Sequence, residues 1–195
     1  MKASALLLTA LLMCLGSLSY SKTVAGVDVP DLVPATSEHP ELTLNGASLR
    51  ELYLMIDTYV GALYLETPSR DPEFIMNSEM HKRMVFHVKM RNVSARRIAN
   101  ALQDALVLNI TPEQHKALMP RLEQMLSYFD GEMHDGDQSI FDYSPNVGTR
   151  VIINGEEKGI IPGEDYFKAM LAIWVGENPV GRQFKRDILG LEKPL

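Results

Sequence analysis

The residues best placed to do chemistry gather around Arg50. It follows Leu49, precedes a long apolar stretch, and has Tyr53, Tyr59 and Tyr64 close by in sequence. A guanidinium at the end of an apolar strand can grip a carboxylate bidentately at the mouth of an apolar pocket. An ordinary surface salt bridge, to Glu51 or Asp57, is the simpler reading of the spacing alone. Arg50 and Tyr59 differ in parity, so a single straight strand would place them on opposite faces. They converge only if a bulge or a turn lies between them.

Other chemistry-bearing residues have simpler explanations. His134 with Glu132, Asp135 and Asp137 suggests a metal site, but the spacing matches no calcium loop and Asp135-Gly136 is a turn dipeptide. A solvated hairpin is expected there. His87 falls on the polar face of its strand and reads as a surface residue. Asn92-Val93-Ser94 and Asn109-Ile110-Thr111 match the glycosylation pattern, yet both also suit helix starts. The signatures of serine hydrolases, phosphate-binding glycine loops, zinc proteases and dinucleotide-binding folds are absent. No metal or cofactor is expected.

The chain supplying these groups has 195 residues, 46% hydrophobic and 23% charged, an ordinary globular composition. A net charge of −6 argues against nucleic acid and anionic membrane as partners. The single cysteine, Cys14, excludes a disulfide framework and a cysteine-based zinc site. Lys2, the apolar run over residues 3–18, and the small Ser19 and Ser21 form the pattern of a secretory signal peptide over residues 1–21. The run is too short to span a bilayer. Met13 before Cys14 argues against a lipid anchor. Residues 22–195 then form one domain, periplasmic or secreted, that contains no thiol nucleophile.

Within that domain, residues 24–40 read as a proline-rich extended lead-in. Residues 42–44 alternate and end at Asn45-Gly46, a turn signal. Residues 49–65 are dense in Leu, Ile, Val and Tyr, which predicts one long strand or two joined strands. A polar loop spans residues 67–71, and residues 82–90 alternate as a strand with one buried face. Ser94 caps a helix with the stripe Ala95, Ile98, Ala99, Leu102, Ala105 and Leu106. Thr111-Pro112-Glu113-Gln114 opens a second helix, which Pro120 should kink or divide. Strands follow over residues 138–143 and 149–153, with Asn154-Gly155 turning into residues 158–161. Residues 166–175 form a helix apolar nearly all round, and a short helix from Pro179 carries Phe184 and Ile188. Strands, helices, strands, helices without βαβ alternation indicate α+β with a mainly antiparallel sheet.

Several segments together carry a resemblance. Gly46-Ala47-Ser48-Leu49-Arg50, then the run from Tyr59 through Gly61 to Leu65, resembles the chalcone isomerase superfamily. So do Asp142-Tyr143-Ser144-Pro145-Asn146-Val147-Gly148-Thr149, Ile153-Asn154-Gly155, Ile161-Pro162-Gly163, Ala172-Ile173-Trp174-Val175-Gly176 and Ile188-Leu189-Gly190. The likeness is strongest to the bacterial, exported branch. It implies an open-faced β-sandwich, a curved antiparallel sheet with helices packed on it around an apolar cleft. In the plant enzymes an Arg, a Thr, a Tyr, an Asn and a late Ser or Thr surround that cleft. Arg50 matches the Arg, whereas Tyr59 falls where the Thr belongs and Ile173 where the late hydroxyl belongs. Residues 94–101 offer no Tyr and Asn pair. Retaining the Arg and replacing the hydroxyls resembles the fatty-acid-binding members, in which an Arg and a Tyr hold the carboxylate. The expectation is a non-catalytic binder of a small apolar acid, with Arg50 and Tyr59 as ligand-binding residues. An isomerase of the intramolecular lyase type and an envelope interaction protein with a vestigial cleft are the alternatives.

Overall fold

The computed structural model describes residues 21–53 and 55–191. The signal peptide expected over residues 1–21 lies outside them, apart from Ser21. Among the described residues the strands β3 (Leu32–Val33), β4 (Leu42–Leu52), β5 (Ile56–Leu65), β6 (Lys82–Val88), β9 (Gln138–Ser144), β10 (Gly148–Ile153) and β11 (Glu156–Ile161) form one seven-stranded sheet. Its order is β11-β10-β9-β6-β5-β4-β3, every pairing antiparallel. This is the predicted α+β architecture, a curled antiparallel half-barrel backed by helices. A separate hairpin joins β1 (Ser21–Val24) to β2 (Val27–Pro30), and a small ribbon pairs β7 (Asn92–Ser94) with β8 (Glu132–His134).

Period-two alternation gives the sheet two different faces. Leu63, Met84, Phe86, Phe141 and Val151 face the helices and join the main core. Val60, Ala62, Tyr64 and Val85 face the other way and are covered by Val29 of the β1–β2 hairpin. Farther along that outer face Arg83 meets Asp142 at 2.5 Å across β6 and β9, so the charge is paired where it is partly buried.

The helices are α1 (Pro72–Asn77), α2 (Ala95–Val107), α3 (Pro112–Ser127), α4 (Glu164–Val175) and α5 (Arg182–Ile188). Ser94 caps α2, and Thr111 with Gln114 completes a reciprocal capping box on α3. Helix α4 packs against β10 on one side and against α1 and α2 on the other, which accounts for its apolar residues on every side.

Several expectations need correction. The lead-in contains the β1–β2 hairpin, whose turn has positive φ at both Ala25 and Gly26. Asn45-Gly46 is not a turn: β4 runs straight through it, and the register slips between Leu44 and Gly46. The Asn45 side chain is held by Ile188 O and Ser69 N, so it serves as a tether. Helix α1, capped by Asp71, follows the polar loop and was not foreseen. Of the two outcomes expected at Pro120, division does not occur: α3 continues through it as one element. Helix α5 begins at Arg182, three residues beyond Pro179.

Lys82 on β6 is 1% exposed, with its Nζ donating to Ser78 O at 2.6 Å and lying 5.4 Å from the centre of the Tyr143 ring. Burial pushes its ammonium down to about 8, partly countered by Glu164. The unfolded chain therefore holds this proton more tightly, and stability should rise as pH climbs from about 8 toward 10. The expected gain between pH 7.5 and 9.5 is about 1–2 kcal/mol. Denaturant titrations should show it in the wild type and not in Lys82→Met; equal slopes would refute the assignment.

Candidate functional site

The strand pairing answers the parity problem. β4 and β5 form a hairpin in which Arg50 is the direct partner of Tyr59, and the register slips between Arg50 and Glu51. Directly opposed residues on antiparallel strands project from the same face. Thr58 Oγ1 donates to Arg50 O at 2.6 Å and ties the two strands at this point. Arg50 and Tyr59 are thus neighbours at the edge of one cleft.

That cleft has a volume of about 230 Å³. The sheet supplies Phe86, Val88, Ser139 and Phe141, α2 supplies Ile98, Leu102 and Ala105, and α4 supplies Ile173 and Trp174. Phe129 and Met133 add further apolar wall, while Arg50, Thr58 and Arg97 bring polar groups. No His, Asp or Glu lines it among the described residues. Arg50 makes no ion pair with Glu51, Asp57 or any other described carboxylate; its guanidinium donates to the Glu51 carbonyl. The surface salt-bridge reading is therefore not what the structure has.

The Tyr59 hydroxyl accepts from Trp174 Nε1 at 2.8 Å. Its ring packs edge-on against Phe86 at 5.3 Å and Phe184 at 5.7 Å. Burial pushes its pKa up to about 12, against the opposing effects of the Trp174 bond and the Arg50 charge. It stays protonated near neutral pH. Because the indole occupies an acceptor position, the hydroxyl proton is left to donate. Arg50 and Tyr59 thus bring a cationic fork and a neutral O–H to the edge of an apolar cleft.

Ile173 is 1% exposed and lines the cleft without a donor, where the resemblance implies a hydroxyl. Sequence reasoning missed Trp174, Thr58 and Arg97. Trp174 is the single tryptophan in a helix otherwise read as packing material, and its partner lies 115 positions away. Arg97 sits in the exposed first turn of α2 and looks like a solvated charge.

The remaining candidates are structural. His134 Nδ1 and Nε2 lie 3.8 and 3.9 Å from Asp137 and Glu132, and the backbone N–H of His134 donates to Asp137 at 2.7 Å. The turn with Gly136 joins β8 to β9, strands of different sheets, so it is a corner and not a hairpin. No metal-holding cluster of His, Cys, Asp or Glu occurs among the described residues. His87 is half-buried on the outer face, away from the cleft. Asn109 Nδ2 donates to Ala105 O and Asn178 O, bonds that a glycan would break. A second hollow of about 590 Å³ between α1, α3 and α4 is lined by these interlocked asparagines and by Asp165, Lys168 and Glu177. It offers no comparable apolar interior.

A curled antiparallel sheet closed by helices over an apolar cleft, with an Arg and a Tyr at its edge, is an α+β half-barrel. The chain belongs to the chalcone isomerase-like family, whose sequence model matches residues 21–190. A search of curated proteins gives no match. Among solved structures it is similar to a fatty-acid binding protein of Arabidopsis thaliana, with 15% identity and a TM-score of 0.69. The match covers 87% of this chain and 96% of that one. No helix among the described residues is long and apolar enough to cross a membrane.

Proposed function

We propose that this protein is an exported, non-catalytic binder of a long-chain fatty acid or similar apolar carboxylate, its head group held by Arg50 and Tyr59. One observation carries the reading: the Arg50–Tyr59 pair stands side by side at the edge of a cleft that is otherwise nearly all hydrocarbon and aromatic. Burying methylenes contributes roughly 0.8 kcal/mol each, so about ten would supply ~8 kcal/mol before the cost of association. The charged fork adds less energy and more selectivity. The likeness to a fatty-acid binding protein supports the same ligand class. Ile173 and the lack of a lining imidazole or carboxylate weigh against isomerisation.

Mass spectrometry of small molecules extracted from protein purified from its own envelope should find long-chain carboxylates bound. Neutral lipids alone, or nothing, would contradict the reading. Incubation with a chalcone should yield no flavanone above the spontaneous rate. For export, N-terminal sequencing of the envelope form should begin at or near Lys22, the position set by Ser19 and Ser21. An intact Met1 in that fraction, or a lipid on Cys14, would show that the leader was misread.

A further inference from the structure

The tip of the β4–β5 hairpin breaks the rule that turns are polar. Residues 52–56 read Leu-Tyr-Leu-Met-Ile, with no Gly, Asn, Asp or Pro. Tyr53 is 84% exposed, Met55 83% and Ile56 47%. Tyr53 also adopts φ +54°, a left-handed conformation that Gly or Asn would take at lower cost. Tyr53, Met55 and Ile56, exposed where polar residues are expected, call for something to cover them.

Its place in the molecule says what that is. Leu52 and Arg50, on the same strand, line the cleft, and the tip continues from its edge. In the neighbouring turn Lys89 N donates to Thr58 O at 2.9 Å while its Nζ pairs with Asp135 at 3.3 Å; Arg91 follows, and Arg97 lines the same cleft from α2. We propose that this hairpin tip docks on a phospholipid bilayer, inserting Tyr53 and Met55 at the headgroup level. Arg91 and Arg97 would meet lipid phosphates, and the cleft would open onto the lipid from which its ligand comes. The proposal goes beyond fatty-acid binding and rests on it only for the origin of the ligand. A tyrosine with a thioether neighbour, beside Arg91 of the next turn and Arg97 of α2 and with Glu51 and Asp57 at its base, has the chemistry of a bilayer interface. The overall charge of −6 does not forbid it, because screening over about 8 Å at physiological salt leaves the local charge to act.

The test uses full chains with identical N-termini and vesicles of phosphatidylcholine, with and without phosphatidylglycerol. Tyr53→Trp should shift its emission to the blue on vesicle addition, above the constant background of Trp174. The Tyr53→Ser/Met55→Ser variant should lose about tenfold in vesicle partition relative to wild type, while Leu108→Ser, at another exposed apolar residue, should lose nothing. Absence of the blue shift, equal losses in both variants, or a concentration-dependent dimer abolished by the double substitution would overturn the proposal. Fatty-acid titration without vesicles separates the two claims. Binding there without a blue shift refutes docking alone, and a blue shift without binding refutes the ligand assignment alone.

Discussion

Phe184→Ala should cost about 3–5 kcal/mol of folding stability, the range for emptying a buried aromatic site. Phe184 is 2% exposed, and α5 lays its ring on the inner face of β5 directly over Gly61. A methyl at position 61 would lie 2.5 Å from Phe184 Cζ, so Gly61→Ala alone should cost about 1–3 kcal/mol by overpacking. The two changes are not independent, because removal of the ring opens the space the methyl needs. The double variant should therefore be more stable than the sum of the single losses implies, by roughly 0.5–3 kcal/mol. Urea denaturation of the four proteins measures the cycle. Simple additivity would mean that α5 does not press on β5 at this point.

The same packing bears on the proposed ligand site, since Phe184 supports the Tyr59 ring edge-on. Arg50→Ala should weaken binding of a long-chain fatty acid about tenfold to a hundredfold, the equivalent of a charge-assisted hydrogen bond of roughly 1.5–3 kcal/mol. An alcohol of equal chain length should bind wild type and variant nearly alike, because the apolar walls are unchanged. Tyr59→Phe should show a smaller loss, about threefold to tenfold, as only a neutral donor is removed. Calorimetric titration of both ligands against all three proteins tests the set. Equal losses for acid and alcohol would make Arg50 a structural residue.

Much of this architecture is legible in the sequence where one local rule acts alone. Thr111-Pro112-Glu113-Gln114 carries its own capping box, Asn154-Gly155 its own hairpin turn, and the alternation of β6 its own buried face. Failures arise where a distant partner overrides the local signal. Asn45-Gly46 has the chemistry of a turn, yet Asn45 is recruited by Ile188 O, 143 positions away, and a methyl at Gly46 would collide with the Asp187 carbonyl. The glycine makes room for α5, not for a reversal. The β1–β2 hairpin escaped because Ala25-Gly26 is a weak turn signal and its strands are short.

The site shows the same division. Arg50 stands out by type, and Tyr59 enters through the resemblance, but their convergence depends on a hairpin whose apolar tip hides the turn. Residues 52–56 look like continuous strand, so counting through them gives the wrong parity. Trp174 could not be assigned to Tyr59 from sequence, since the contact exists only once α4 packs on the sheet.

The most direct measurement of the central claim is carbon-13 NMR of a carboxyl-labelled long-chain fatty acid bound to the protein. A single bound resonance is predicted, with the carboxyl staying ionised to a lower pH than the free acid because Arg50 and the Tyr59 hydroxyl favour its charged form. That resonance should shift or broaden in Arg50→Ala. A carboxyl signal indistinguishable from free acid, or one unchanged in Arg50→Ala, would contradict the account.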